Sequence, residues 1–219
     1  MSHTPSSARS APGPVPTREA ELALWRAGYR AVAGIDEVGR GPLAGPVVVA
    51  AVVLPPFFTA GWLAYVRDSK VLTARQRERL AALIQQAALA VGIGWRSARQ
   101  IDARGLAPAT RAATLDALAF LKVRPDFLLL DAFLLREAEI DQAGLIDGDA
   151  RCTVIACASI VAKVARDRLM TAMDRRFPGY SFAAHKGYGT PAHLAALDAL
   201  GPCALHRRSF APVRERLAR

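Results

Sequence analysis

The sequence predicts an α/β layer fold. Two patterns point to it: short apolar runs without alternation, the mark of strands covered on both faces, and helical stretches with readable caps set between them. A third observation is size: 219 residues, 52% of them hydrophobic, supply enough material for one core.

Residues 1–18 carry Pro5, Pro12, Pro14 and Pro16 among Ser, Ala and Gly and have little to bury, so they read as a disordered tail, leaving 19–219 as a single domain. A brief helix begins at about Glu19. Residues 31–36 form the first expected strand and 46–54 the second, with the glycine-rich stretch 37–45 returning one beside the other. Thr73 with Gln76 makes a capping box, opening a helix to about Leu89. A short strand follows at 91–95, a helix at 108–121 and a fourth apolar strand at 125–131. Residues 154–173 predict a long helix rich in small side chains. Thr190-Pro191, a cap followed by a first-turn proline, opens a helix that stops near Gly201.

Charge and cysteine content narrow the function classes. The net charge is +10, and only Arg9 among the first 17 residues is charged, so the basicity belongs to the body and suits a polyanionic partner. Three cysteines without CxxC spacing indicate neither a disulfide framework nor a zinc site, and suit a reducing cytoplasm. The eight-residue run Val47–Leu54 is far shorter than the ~20 residues a membrane helix needs, so no membrane role is expected.

The chemistry concentrates where strands end. Asp36-Glu37 and Asp131 follow buried-looking strands, where a lone carboxylate is costly unless it is paired or bound to metal. If the strands are neighbours, these acids meet, and divalent cations would hold them together. The loop Gly39-Arg40-Gly41-Pro42-Leu43-Ala44-Gly45 could be mistaken for a dinucleotide fingerprint, but it opens into a strand rather than a helix, which excludes that reading.

Gly34-Ile-Asp-Glu-Val-Gly-Arg-Gly-Pro-Leu-Ala-Gly45 resembles the signature of ribonuclease HII. The same resemblance continues in order through Asp68-Ser69-Lys70, Leu128-Leu-Leu-Asp131, Ala158–Asp167, His185-Lys-Gly-Tyr-Gly189 and His206-Arg-Arg-Ser-Phe210. It implies an RNase H-like mixed five-stranded sheet flanked by helices, with a helical C-terminal part. It further implies an endoribonuclease that cuts RNA paired with DNA, and cuts 5′ of single ribonucleotides embedded in duplex DNA, leaving 3′-hydroxyl and 5′-phosphate ends. By resemblance the catalytic and metal-binding acids are Asp36, Glu37, Asp131 and Asp149, with Asp167 ranked second for the fourth place. Carboxylates of this kind suit two Mg²⁺ or Mn²⁺ ions ~3.5–4 Å apart, one activating water and one stabilising the leaving oxygen.

The resemblance also implies that Gly39, Arg40 and Gly41 read the 2′-hydroxyl, that Tyr188 packs on the sugar at the ribonucleotide–deoxyribonucleotide junction, and that Ser69, Lys70 and Lys186 lie at the substrate. Arg207-Arg208 are further candidates for phosphate contacts. His185, His193 and His206 do not form a ligand cluster by spacing. The chain departs from the family pattern at Ala132, where glycine is common, at Asp147, where a lysine usually stands, and at Val71, where a second lysine is usual. The departures at Ala132 and Asp147 keep a second class open, a hybrid-binding protein without cleavage. A monomer is the expected state.

Overall fold

The computed structural model of the chain describes residues 15–218, so the expected tail lies outside the described residues up to position 14. Within the expected tail, Thr17 is already tied to the body: its N–H donates to Arg151, and its carbonyl accepts from Thr153.

Five strands make one mixed sheet in the order β3-β2-β1-β4-β5. Strand β1 (Val32–Val38) pairs antiparallel with β2 (Val47–Val53), and β2 pairs antiparallel with β3 (Ala90–Arg96). On the other side β1 runs parallel to β4 (Phe127–Asp131), and β4 runs parallel to β5 (Asp141–Leu145). All seven residues of β2 are buried, as a strand covered on two faces requires.

Helices cover both faces. Alternate residues Ala50, Val52 and Leu129 pack with the long helix α6 (Thr153–Arg176), together with α1 (Glu19–Arg26) and α2 (Ala74–Ala87). The opposite set, Ile35, Val49, Ala51, Leu128 and Leu130, packs on Ala113 and Ala117 of α4 (Leu106–Ala119). Gly34 lets α6 approach the sheet, since a Cβ there would collide with the backbone of Val154 and Ile155. Glu21 of α1 closes the start of α6 by accepting from the Val154 N–H at 2.8 Å. The C-terminal part is helical, with α8 (Pro191–Leu200) capped by Thr190 as expected, and α9 (Ala211–Leu217) after it.

Several elements escaped the residue-level reading, among them a helix and a strand that differ in how visible they were. Helix α3 (Ala98–Arg104) starts at Ser97, whose capping box with Gln100 repeats the Thr73-Ala-Arg-Gln76 pattern, so the signal was present. Strand β5 carries no such signal. Its residues, Asp-Gln-Ala-Gly-Leu, are half exposed at a sheet edge, and pairing with β4 makes them a strand.

Candidate active site

The parallel register of β1 and β4 sets Ile35 beside Leu130. One step further along each strand stand Asp36 and Asp131. Counting by twos from Gly34 and Leu129 puts both on the α6 face of the sheet. Glu37, the next residue of β1, starts toward the opposite face. The fourth candidate acid, Asp149, sits on the short helix α5 (Gly148–Arg151) just after β5. Helix α5 is pinned to β4 by the Gly148 N–H, which donates to Asp131 Oδ1 at 2.7 Å.

These carboxylates act on one another. Burial pushes Asp36 well above the usual carboxylate range, and the charges of Glu37, Asp131 and Asp149 add to it, against a hydrogen bond with Ser159. Glu37 is raised by burial and by Asp131, opposed by Arg40. Asp131 is raised by burial and by Asp149, opposed by the Gly148 N–H. Two cations lean on the cluster: Arg40 Nη1 donates to Glu37 Oε1 at 2.9 Å, and Lys70 Nζ donates to Asp149 Oδ2 at 2.9 Å. Burial lowers the affinity of Lys70 for its proton, but Asp149, Asp68 and Asp36 more than offset that and hold the ammonium well above the usual lysine range.

The donor set fits hard divalent ions, being all oxygen and all anionic. Glu37 Oε2 is buried without a hydrogen-bond partner, an acceptor aimed at nothing the chain supplies. Among the described residues, no three His, Cys, Asp or Glu side chains converge on one ion as they stand. Glu37 and Asp149 are instead turned onto Arg40 and Lys70.

Asp167 is committed elsewhere, 2.6 Å from Lys163 and 3.6 Å from Arg77. Both departures beside the acids sit in left-handed backbone, Ala132 at φ 59° and Asp147 at φ 54°.

The glycine loop is held from behind by two buried arginines. Arg166 of α6 donates to the carbonyls of Pro46, Lys186 and Ala44 at 3.0, 2.9 and 3.1 Å. Arg207 donates to Gly39, Arg40 and Gly45 at 2.5, 2.7 and 3.0 Å. Both are 0% exposed, so the expectation that Arg207 contacts phosphate is corrected: its guanidinium is used up inside, drawing loop carbonyls inward. Burial, with Arg166 nearby, lowers Arg207 to about 9. Gly39 takes φ 93°, and a Cβ there would strike the Arg166 side chain and the Pro46 carbonyl, so only glycine fits.

Tyr188 is half exposed, and its ring stands over Gly41, where a Cβ would lie 3.9 Å from Cε1. Ser69 is 2% exposed, and its hydroxyl accepts from Ser159 at 2.9 Å, so its side chain braces the residue that hydrogen-bonds Asp36. Lys186 donates to Thr171 Oγ1 at 3.1 Å and lines a groove with Arg77, Arg168, Arg175, Glu78 and Asp167, in which none of the four candidate acids takes part. Arg208 is exposed. Spacing left the three histidines unrelated, yet the fold stacks His185 on His193 at 4.3 Å and sets His193 5.2 Å from His206.

A family model for ribonuclease HII matches residues 33–213. The chain belongs to the ribonuclease HII family. A ribonuclease HII of Dehalococcoides mccartyi is 50% identical over 194 residues, covering 89% of this chain and 92% of that one. The ribonuclease H2 of Pyrococcus horikoshii superposes with a TM-score of 0.73 at 25% identity, covering 85% of this chain and 96% of its own. An RNase HIII solved in complex with Mn²⁺ (Bst-RNase HIII) shares the fold, with a TM-score of 0.62 at 20% identity over 97% of this chain and 77% of that one. Ribonucleases HII are endoribonucleases that act on RNA paired with DNA, and the expected RNase H-like sheet with its helical C-terminal part is the fold observed. No helix among the described residues is long and apolar enough to cross a membrane.

Proposed function

We propose that the chain cuts the RNA strand of RNA–DNA hybrids and cuts 5′ of single ribonucleotides in duplex DNA, leaving 3′-hydroxyl and 5′-phosphate ends. The reading rests on Asp36 and Asp131 sharing one face at adjacent strand ends with Asp149 pinned beside them. In this reading Asp36, Glu37, Asp131 and Asp149 hold Mg²⁺ or Mn²⁺. When bound, the ions supply charge neutralisation at the scissile phosphate and lower the pKa of the attacking water. Mutual repulsion among the acids favours that binding, because cations relieve it.

The chain's own residues do the rest. Arg40 and Lys70, which reach Glu37 and Asp149, supply positive charge for phosphate oxygens. Gly39, Arg40 and Gly41 present backbone close enough to sense a 2′-hydroxyl, which both donates and accepts. Arg166 and Arg207 keep that backbone in one shape. Tyr188, over Gly41, offers an aromatic face to the sugar. Lys186, with the exposed Arg175 of the same groove, contacts the nucleic-acid backbone and contributes affinity without sequence preference. The protein acts as a monomer in the cytoplasm.

The test is incubation with a duplex carrying one ribonucleotide, with Mg²⁺ or Mn²⁺ and a chelator control. Incision 5′ of the ribonucleotide, absent with chelator and absent in Asp131→Asn, is expected. Hybrid binding indifferent to chelator, with no scission, would replace this reading with that of a binding protein.

A further inference from the structure

His193 and His206 touch none of the four acids, yet they are 0% and 2% exposed. Their ring nitrogens form one continuous chain. The Cys203 N–H donates to His206 Nδ1 at 3.0 Å, the Nε2 atoms of His206 and His193 meet at 3.1 Å, and His193 Nδ1 lies 2.8 Å from the Tyr188 carbonyl. The ends of the chain decide its middle, because a backbone amide only donates and a carbonyl only accepts. His193 therefore carries its proton on Nδ1 and accepts at Nε2, while His206 carries its proton on Nε2 and accepts at Nδ1. Both rings are neutral, and each is held in one tautomer. A proton added to either would set two donors against each other.

We infer that His193 and His206 are positioning residues that fix the backbone of Tyr188 over the glycine loop, and so set how the sugar at the ribonucleotide–deoxyribonucleotide junction is read. The inference rests on the role proposed above for Tyr188. Its geometry ties the two halves of the substrate-reading surface together. The carbonyl of Gly187, next to Tyr188, accepts from the N–H groups of Leu43 and Ala44 at 2.8 and 3.3 Å. His206 forms a bridge with Ala44, and the Arg207 N–H donates to Leu43 at 2.8 Å. The Tyr188 carbonyl thus takes the His193 proton on one lone pair and the Thr190 N–H, at 2.8 Å, on the other.

The surroundings favour neutral rings. The titratable groups that face the pair are His185, stacked on His193, Tyr180, 5.1 Å from His206, and Cys203, whose Sγ lies 3.2 Å from His206 Nδ1. Burial lowers both histidines, His206 to about 4. His185 is bound in the same manner, with Nε2 2.6 Å from the Tyr180 carbonyl and Nδ1 accepting from the Gly187 N–H at 3.1 Å.

The experiment measures cleavage of a duplex with one ribonucleotide by His193→Ala, His193→Asn and His206→Gln, each with Tyr188 intact and with Tyr188→Ala. His193→Ala should lose roughly 10–100-fold in kcat/KM, the cost of a small displacement at a reacting site. Asparagine, whose amide nitrogen takes the place of Nδ1, should recover most of that loss. His206→Gln keeps the donor at the Nε2 place and should remain close to wild type. In the Tyr188→Ala background His193→Ala should cost nothing further; an equal loss in both backgrounds overturns the inference. Ring-nitrogen NMR of the wild-type protein is the second arm and does not depend on activity or on variants that fold. It should show Nδ1–H on His193 and Nε2–H on His206, unchanged between pH 8 and about pH 5.5; the opposite tautomers, or titration near the ordinary histidine value, also overturn it. If the wild-type protein fails to cut the substrate, the proposed function falls, and the spectra still decide whether the pair holds the Tyr188 carbonyl through the His193 Nδ1 proton.

Discussion

Ala132 follows Asp131 at φ 59°, in the left-handed region, with its methyl group exposed. The conformation is imposed from both sides: the Ala132 N–H donates to Leu145 at 2.9 Å, and the Phe133 N–H donates to Asp131 at 2.9 Å. A residue with a Cβ is destabilised there by ~1–2 kcal/mol. Ala132→Gly removes that strain and loses no buried surface, but glycine gives up ~0.5–1 kcal/mol more backbone freedom on folding. Taken at the middle of each range, the net gain is about 0.75 kcal/mol. For a domain of this length, that is a rise in thermal midpoint of about 1–4 °C. Calorimetry in chelator compares wild type, Ala132→Gly and Ala132→Val, the last expected to melt lower because a β-branched side chain tolerates positive φ least. A glycine variant that melts at or below the wild type, with valine tolerated, would show that the turn after Asp131 is not left-handed in solution, and the reasoning would fail.

Three further outcomes follow from the same geometry. Gly34→Ala should destabilise the protein by about 3 kcal/mol, the upper range for overpacking, because its Cβ meets helix backbone that cannot step aside; chemical denaturation measures it. Asp36→Asn should abolish cleavage yet raise the melting point in chelator, since burial and three neighbouring carboxylates disfavour the charge it removes; addition of Mn²⁺ should then stabilise wild type but not the variant. For His206 the folded value lies near 4 against 6.5 in the unfolded chain, so the unfolded state binds more protons between the two. Its contribution to stability is complete above pH 6.5 and declines as pH falls toward 4; the difference between denaturation curves of wild type and His206→Gln should narrow over that window.

Much of the site was legible because local patterns carried it. Asp36-Glu37 and Asp131 stood out as acids ending apolar strands, and Thr73 and Thr190 announced their helices. The roles of Arg166 and Arg207 were not legible. Nothing in a string of letters separates an arginine that faces solvent from one whose five donors are spent on carbonyls inside a loop. Ser69 shows the same limit in reverse: its place in a conspicuous motif pointed to substrate, and only packing against Ser159 shows it facing inward.

By itself the chain determined the layered fold and four of the five strands, and it put forward Asp36, Glu37 and Asp131 as candidates, because burial periodicity and caps are properties of neighbouring residues. Only the tertiary structure decided the parallel register that sets Asp36 beside Asp131, the ion pairing of Asp167 with Lys163 and Arg77, and the meeting of His193 with His206. Those depend on residues tens of positions apart, joined by backbone pairing and by buried donors seeking acceptors, and such partners are chosen when the core closes.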